Sequence, residues 1–144
     1  MNDPFSLRRF VIAQDEGGAY ELATGELRAG RKTGHWMWFV FPQIAGLGQS
    51  AMSRRYAIAS LAEARAYLEH PVLGARLIEC AGILTELSGR SAHDIFGSLD
   101  AVKLRSSMTL FARTAPDIGV FGGVLADYFD GIADPQTARR LRAS

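Results

Sequence analysis

The chain of 144 residues carries 16 lysine and arginine residues against 15 aspartate and glutamate residues, and 48% of its residues are hydrophobic. A chain of this length buries roughly 68–70% of its unfolded surface, which suffices for one core, so we expect a single domain over residues 1–144. Nucleic-acid binders usually show a basic stripe or a raised pI, so the near balance of charges disfavours nucleic acid as a partner.

Neither a secretion signal nor a membrane span is predicted. The first residues lack the long apolar run of a signal peptide, and the longest apolar run, residues 36–42, is much shorter than the roughly 20 residues of a membrane helix. One cysteine, Cys80, permits no intrachain disulfide. We therefore expect a cytoplasmic protein without a membrane partner.

Two helices are predicted at the start of the chain. The Asp-Pro pair at residues 3–4 has the composition of an N-cap followed by a proline in the first turn. The glycines at 17–18 break this helix, and apolar residues at helical spacing predict a second one over residues 20–29. Gly30 then supplies the left-handed residue that often ends a helix.

Residues 60–89 contain the signals of two consecutive helices. Ser60 and Glu63 have the spacing of a capping box, in which the two side chains satisfy backbone donors at the start of a helix. This helix runs to about His70. Pro71 begins the next one, whose apolar residues keep helical spacing until Gly89.

The last third of the chain is predicted to be helical as well. A short turn of helix begins at Ser91, and Gly97 ends it. Helices then follow over residues 98–112, where leucine, methionine and phenylalanine share one face, and over residues 120–129. The Asp-Pro pair at residues 134–135 caps a basic terminal helix.

Residues 34–43, GHWMWFVFPQ, form an aromatic block that contains both tryptophans of the chain. Periodicity cannot assign so short an apolar run to a strand or a helix, although Pro42 argues against a central strand. No strand alternation is present elsewhere. The sequence therefore predicts an all-α fold, a compact bundle of about seven helices with the aromatic block packed into it as a loop segment.

The segments HWMWFVFPQ (residues 35–43) and KLRSSMTLF (residues 103–111), followed by FGGVLADYFDGIADPQT (residues 121–137), resemble family 1810 of bacterial domains of unknown function. The resemblance covers almost the whole chain and implies a compact, mainly α-helical fold. It supplies no activity. Some members of the family carry the label calpastatin, but this chain lacks the disordered, weakly hydrophobic composition expected of such an inhibitor.

The aromatic block contains the first candidate functional residues. His35 is a candidate catalytic residue, because histidine commonly serves as a general acid or base near neutral pH; alternatively, its ring nitrogens bond to backbone carbonyls in the core. Trp36 and Trp38 are candidate ligand-binding residues that could stack on a base or sugar, or could belong to the core. Gln43 could hydrogen-bond a ligand amide or hold its own loop.

A second group lies on the predicted helix of residues 98–112. Asp100, Lys103 and Ser107 follow one another at i, i+3 and i+7, so they share one helix face. Lysine provides charge, and the hydroxyls of Ser106 and Ser107 provide directed donors, which together suit a phosphate or a carboxylate. Asp100 and Lys103 are therefore candidate catalytic residues and the serines candidate ligand-binding residues. The alternative is a surface ion pair with both hydroxyls bonded to helix carbonyls.

Basic residues on both sides of the aromatic block could add affinity for an anion if the loop brings them together. The group comprises Arg31, Lys32, Arg54 and Arg55, of which Arg54 is the candidate ligand-binding residue; the alternative is a solvated surface. The histidines at 35, 70 and 93 lack the spacing of zinc motifs, and no P-loop or dinucleotide glycine motif occurs. Neither a metal nor a cofactor is expected.

Three functions remain compatible with the sequence. In the first, a cleft between the two signature segments binds a small anionic or nucleotide-like molecule. In the second, the cleft belongs to a hydrolase that acts on a nucleotide or an ADP-ribose-type metabolite, with His35 or Asp100 as the general base and Lys103 stabilising negative charge. In the third, the aromatic block and the helix of residues 121–129 form an oligomer interface. Whether the protein is an enzyme stays open, as does the choice between a monomer and a small homo-oligomer.

Overall fold

Nine α-helices dominate residues 2–143, the part of the chain that the computed structural model describes: α1 (Arg8–Asp15), α2 (Ala19–Ala29), α3 (Met37–Val40), α4 (Ala51–Arg55), α5 (Leu61–Glu69), α6 (Leu73–Glu86), α7 (Ala92–Thr114), α8 (Gly119–Phe129) and α9 (Pro135–Ala143). Seven of them have eight residues or more. Within these residues, β pairing is limited to an isolated parallel bridge between Ile44 and Ile58. The all-α prediction is confirmed. No helix in this range has both the length and the apolar character needed to cross a membrane.

The start of α1 differs from the prediction. The chain turns at residues 4–5, and the helix begins at Arg8 with Leu7 as its N-cap residue. Asp3 still satisfies donors of the first turn, because its carboxylate accepts hydrogen bonds from the backbone N–H groups of Leu7 at 2.8 Å and Arg8 at 3.1 Å. The aspartate was therefore recognised correctly as a capping group, but it acts across a turn and not as the N-cap itself.

The two boundaries of α2 lie where glycines were expected to place them. Gly17 and Gly18 have φ values of +62° and +71°, and Gly30 also has φ +71°. The backbone N–H of Gly30 bonds to the carbonyl of Leu27 at 2.9 Å, and the N–H of Arg31 bonds to that of Glu26 at 3.0 Å. This is the left-handed termination that glycine permits.

The predicted capping box of α5 forms with a shift of one residue. The Ser60 hydroxyl accepts from the backbone N–H of Glu63 at 3.1 Å, as the pattern requires. The Glu63 carboxylate, however, accepts from the N–H of Ala59 at 2.9 Å and not from that of Ser60. The helix still ends close to the predicted position, at Glu69.

A break at Gly97 divides α7 into two parts. The first part opens with a complete capping box between Ser91 and Asp94. Gly97 has φ +77° and ψ 171°, a combination that only glycine adopts readily. The second part, residues 98–114, therefore has its own N-terminus. This matches the expectation that Gly97 ends one helix and Ser98 begins another.

A line of aromatic rings joins four helices through the core. Ring centroids are 5.1 Å apart between Phe10 and Tyr67, 5.4 Å between Tyr67 and Phe111, and 5.8 Å between Phe111 and Phe121. All four side chains are fully buried. Such pairs contribute about 0.5–1.5 kcal/mol each beyond the burial of their area. The line fixes α1, α5, α7 and α8 around one core.

The aromatic block enters this core as one helical turn, α3, and not as an irregular loop. Phe39, Val40 and Phe41 are buried. A buried glutamine holds the turn, since the Gln14 side-chain amide donates to the Phe39 carbonyl at 2.8 Å and accepts from Arg76 at 3.1 Å. The prediction that the block packs between helices is therefore confirmed, while its conformation was not predicted.

Candidate functional site

The chain contains two lysines among its 16 basic residues, and both contact the same carboxylate. The ammonium of Lys32 lies 2.8 Å from Oδ2 of Asp100. The ammonium of Lys103 lies 3.2 Å from Oδ1 of the same side chain. Each carboxylate oxygen of Asp100 thus faces a different ammonium group. Lys32 comes from the loop between α2 and α3, whereas the other two residues lie in the second part of α7.

The loop that carries Lys32 is held by the carboxylate of Glu26, near the end of α2. This carboxylate accepts from the backbone N–H of Thr33 at 2.8 Å, the N–H of Gly34 at 2.9 Å and the indole N–H of Trp36 at 2.9 Å. Burial alone would raise the pKa of Glu26, but these donors outweigh it and lower that pKa to about 2. At the other side of the loop, the Lys32 N–H bonds to the Ile95 carbonyl at 2.8 Å.

Each ammonium group also lies over a tryptophan. Nζ of Lys32 is 5.1 Å from the ring centroid of Trp36, and Nζ of Lys103 is 5.1 Å from that of Trp38. The Lys32 side chain is only 7% exposed. Contacts of this kind, together with Asp100, compensate for taking the charge of Lys32 out of water. The tryptophans therefore help to position the two positive charges.

The three charged groups border an open cavity of about 410 Å³, which we call the basic pocket. Its lining includes Lys32, His35, Trp38, Asp100 and Lys103, together with the backbone around the break in α7. Two ammonium groups against one carboxylate leave a formal charge of +1. The N-terminus of the helix that begins at Ser98 adds partial positive charge. The basic pocket is therefore suited to an anion.

A second cavity of about 360 Å³, which we call the amide pocket, adjoins the basic pocket. Leu99 and Lys103 line both cavities. Gln43, from the aromatic segment, and Ser106, from the α7 segment, also line the amide pocket. The two signature segments thus meet in space along one groove, which the sequence left undecided.

Three candidate ligand-binding residues lie away from the basic pocket, although Ser106 still borders the groove. Trp36 is buried and its indole N–H is engaged by Glu26. The hydroxyl of Ser106 shares a hydrogen bond with that of Thr137 at 2.8 Å, which ties α7 to α9. Ser107 has 0% exposure, and its hydroxyl has no hydrogen-bond partner in the described residues. The structure thus gives Trp36 and Ser106 packing roles and places Ser107 out of reach of a ligand in the groove.

Arg54 borders a third, smaller cavity of about 240 Å³, which Gln43 also lines. It is absent from the lining of the basic pocket. Its exposed position in α4 agrees with the alternative of a solvated surface charge. The structure therefore brings His35, Trp38, Asp100 and Lys103 together and leaves Arg54 outside this group.

The described residues contain no group of three or more histidine, cysteine, aspartate or glutamate side chains that could hold a metal ion. Cys80 is buried in α6, and burial raises the pKa of its thiol to about 12. A thiol with so high a pKa is a poor nucleophile near neutral pH, because the thiolate is the reactive form.

Comparison with known proteins identifies the family of this chain and a solved structure with the same fold. A family model described as "Protein of unknown function (DUF1810)" matches residues 4–141. The chain belongs to the DUF1810 family. It is also similar to the conserved hypothetical protein Rv1873 from Mycobacterium tuberculosis, whose crystal structure was determined at 1.38 Å. The two chains are 52% identical over 99% of this chain and 100% of the other, with a TM-score of 0.95. No curated protein matches significantly.

Two residues that build the site of this DUF1810 chain were missed as site residues by sequence reasoning. The sequence places Lys32 among the basic residues around the aromatic block and indicates no role for Glu26. The available signal for Lys32 was its residue type, because it and Lys103 are the two lysines among otherwise arginine cations. Glu26 offered no such signal, since a glutamate near the end of a helix usually faces solvent.

Proposed function

We propose that this protein binds a small anionic metabolite, with an oxyanion of the ligand in the basic pocket between Lys32 and Lys103. The observation that carries the proposal is the shared carboxylate: both lysines contact Asp100 and border one open cavity. Because one carboxylate neutralises only one of the two ammonium groups, the pocket keeps a net positive charge. A phosphate or carboxylate supplies the missing negative charge and accepts hydrogen bonds from the remaining N–H donors of the two lysines.

Lysine suits this role better than arginine does. An ammonium group is a compact charge with three donors on a flexible stem, whereas a guanidinium group prefers a fixed, planar arrangement of acceptors. Asp100 keeps the two ammonium groups together, so the pocket is formed before the ligand arrives. Pre-formed sites bind with a smaller loss of side-chain freedom.

The proposal is tested by titrating inorganic phosphate and pyrophosphate into the protein and into the variants Lys32→Gln and Lys103→Gln. We expect each substitution to weaken anion binding by about tenfold or more, which corresponds to about 1.4 kcal/mol. Arg65→Gln is the matched control, because Arg65 is exposed on α5 and lies far from the groove in the lining of another cavity. Equal affinities of the three variants would reject the basic pocket as the binding site.

A second readout uses the presence of two lysines in the chain. Reductive methylation with ¹³C-formaldehyde keeps the lysine charge and yields two lysine signals besides that of the N-terminal amine. We expect both lysine signals to shift on addition of phosphate, with the same dissociation constant. Lysine signals that stay unchanged while the anion binds would place the site elsewhere.

For the hydrolase hypothesis, the contacts of Asp100 reduce the choice of general base to one residue. Both carboxylate oxygens of Asp100 face ammonium groups, which leaves His35 as the group in the basic pocket that is free to act as a general base. The catalytic role of His35, with Lys103 stabilising negative charge, stays a prediction. It requires that His35→Ala removes turnover and leaves the affinity for the anion nearly unchanged.

We also keep a cytoplasmic, bacterial setting as part of the proposal. The free and buried thiol of Cys80 suits a reducing compartment, and the similar protein Rv1873 comes from a bacterium. For the oligomer hypothesis, Phe39 and Phe121 are buried within the chain. The hypothesis that the aromatic segment and α8 form an oligomer interface stays a prediction, which a measurement of mass against protein concentration tests.

A further inference from the structure

The amide pocket differs in chemistry from the basic pocket that it adjoins. Leu47, Leu99 and Val102 provide apolar surface, and the last two remain 80% and 62% exposed. Among these apolar groups lie the side-chain amides of Gln43 and Gln136. No hydrogen bond of either amide is found within the described residues. The groove thus has one charged end and one end that combines apolar surface with unused amides.

The polar groups of the amide pocket argue against a simple fatty chain as its occupant. A purely apolar chain would cover the amides and leave their donors and acceptors without partners, which costs about 1–3 kcal/mol per group. A heterocyclic ring fits both features, because its flat faces pack on apolar side chains while its edge carries donors and acceptors. Cavities of 360 and 410 Å³ lie at the lower end of the usual range for ligand pockets, roughly 300–1,000 Å³.

The carboxylate of Asp134, in the lining of the amide pocket, restricts which ligand groups can bind there. Its Oδ2 atom caps α9 by accepting from the backbone N–H of Thr137 at 2.9 Å and from the hydroxyl of the same residue at 2.6 Å. Its other carboxylate oxygen, Oδ1, receives no hydrogen bond from the described residues. A carboxylate in the lining of the amide pocket repels a second anionic group and favours a ring that carries an amino donor.

We propose that the groove binds a nucleoside monophosphate, with the phosphate in the basic pocket and an amino-bearing base in the amide pocket. This inference rests on the proposed anion site. Lys103 lies where the two pockets meet, so one ligand reaches both without a gap. The phosphate takes the charge of Lys32 and Lys103, and the base packs on Leu99 and Val102 with its edge towards the amides.

The first test compares ligands with the unmodified protein by calorimetry. We expect adenosine and cytidine monophosphate to bind about tenfold more tightly than inorganic phosphate. We also expect them to bind more tightly than inosine and uridine monophosphate, which carry an oxo group in place of the amine. Adenosine without phosphate should bind about tenfold more weakly than its monophosphate. Equal affinities for phosphate and all four nucleotides would overturn the assignment of the base.

The second test uses variants that separate the two ends of the groove. Val102→Glu adds a charge at an exposed helix position and should weaken the nucleotide about tenfold while inorganic phosphate binding falls much less. Lys32→Gln should weaken both ligands. Ala126→Glu is the matched control, because Ala126 is also exposed in the middle of a helix and lines none of the groove.

The two proposals fail in different ways. If neither phosphate nor any nucleotide binds, the anion site itself is wrong and the nucleotide proposal falls with it. If phosphate binds through the lysines but the nucleotides bind no more tightly, the anion site stands and the nucleotide proposal is rejected. Tight nucleotide binding that Val102→Glu leaves unchanged would also reject it, since the base would then lie outside the amide pocket.

Discussion

Two clusters of charge join distant parts of this chain, and they differ in how completely their donors are used. The guanidinium of Arg9 has five N–H donors. It donates to the carbonyls of Phe5, Ser6, Arg55 and Ala57, and to Oε2 of Glu63. Every donor of Arg9 therefore finds an acceptor in the protein.

The lysine cluster of the basic pocket leaves several donors unused. Two ammonium groups carry six N–H donors. Lys32 donates to Asp100 and to the carbonyl of Gly34, and Lys103 donates to Asp100 alone within the described residues. The Arg9 cluster also packs between helices, whereas the lysine cluster borders an open cavity. A cationic side chain whose N–H donors all have acceptors in the protein holds the fold together. One that keeps unused donors beside a cavity is available to a ligand.

The largest effect that this comparison predicts is on stability, at Arg9. Glu63 is only 4% exposed, so Arg9→Ala leaves a buried carboxylate without its counter-charge and four backbone carbonyls without their shared donor. We expect the free energy of unfolding to fall by about 3 kcal/mol, measured by urea denaturation. Anion binding should stay unchanged, since Arg9 is absent from the lining of the groove.

Arg8→Ala provides the control for this variant, because Arg8 is the exposed neighbour of Arg9. Its removal should change the free energy of unfolding by no more than about 0.5 kcal/mol. A loss below 1 kcal/mol for Arg9→Ala would mean that the five hydrogen bonds are replaced by water without cost. The Arg9 cluster would then not be the stabilising one.

The second prediction concerns Asp100, where stability and binding are expected to move in opposite directions. Asp100→Asn removes the counter-charge that the two ammonium groups share. They then remain close to each other without it, and the ammonium of Lys32 is nearly buried. We expect a loss of about 1–2 kcal/mol in stability, which is smaller than for a fully buried pair because Lys103 and Asp100 are partly exposed. The formal charge of the pocket rises from +1 to +2, so phosphate should bind about tenfold more tightly.

The sign of the binding change is the informative part of this experiment. A structural ion pair of the Arg9 kind would lose stability on substitution and would gain no affinity for any anion. Asp117→Asn is a suitable control, since Asp117 is exposed and lines neither pocket of the groove. If Asp100→Asn weakens phosphate binding, the positioning of the lysines by this carboxylate outweighs its competition with the ligand, and the predicted tenfold gain in affinity is rejected.

The amount of structure that the sequence reveals differs between helix boundaries and long-range contacts. Gly30, Gly97 and the Asp-Pro pair at residues 134–135 act within a few residues of themselves, through backbone conformation and capping. Their positions were therefore predictable. The segment around Met37 was not, because the helical turn there depends on a hydrogen bond from Gln14, which is distant in the chain.

In the candidate site, too, contacts between neighbouring residues were predictable and contacts between distant parts of the chain were not. Asp100 and Lys103 were found because helical spacing places them together. Lys32 comes from a loop that Glu26 holds, and it meets the second part of α7 just after the break at Gly97. Ser107 was chosen for the same spacing, yet it lies on the buried side of the helix, where a hydroxyl without a partner could not be anticipated from residue type. Local patterns therefore predicted two of the three charged groups of the basic pocket as site residues, and the fold supplied the third.

The smallest predicted effect is the pH dependence that Glu26 gives to the loop before the basic pocket. The pKa of this carboxyl group is about 2 in the folded protein, against 4.5 for the unperturbed group. A lowered pKa means that the ionised form stabilises the folded state. Its contribution is therefore fully present above about pH 4.5 and is lost as the pH falls towards 2. Glu26→Gln should be less stable than the unmodified protein at pH 6, and the difference should shrink as the pH is lowered.

The measurement is the free energy of unfolding of both proteins from pH 6 down to pH 2, with lysine-signal NMR alongside it. Glu21→Gln is the control, because Glu21 is exposed in the first turn of α2. Since Glu26 holds the loop of Lys32, the Lys32 signal should broaden in Glu26→Gln while the Lys103 signal, which belongs to a helix, should change less. The Glu26 carboxylate also accepts from the Thr33 hydroxyl at 3.0 Å. A stability difference that does not depend on pH would show that its four hydrogen bonds act without its charge. The hydrogen bonds of Glu26 would then position the loop of the basic pocket without a contribution from its ionisation.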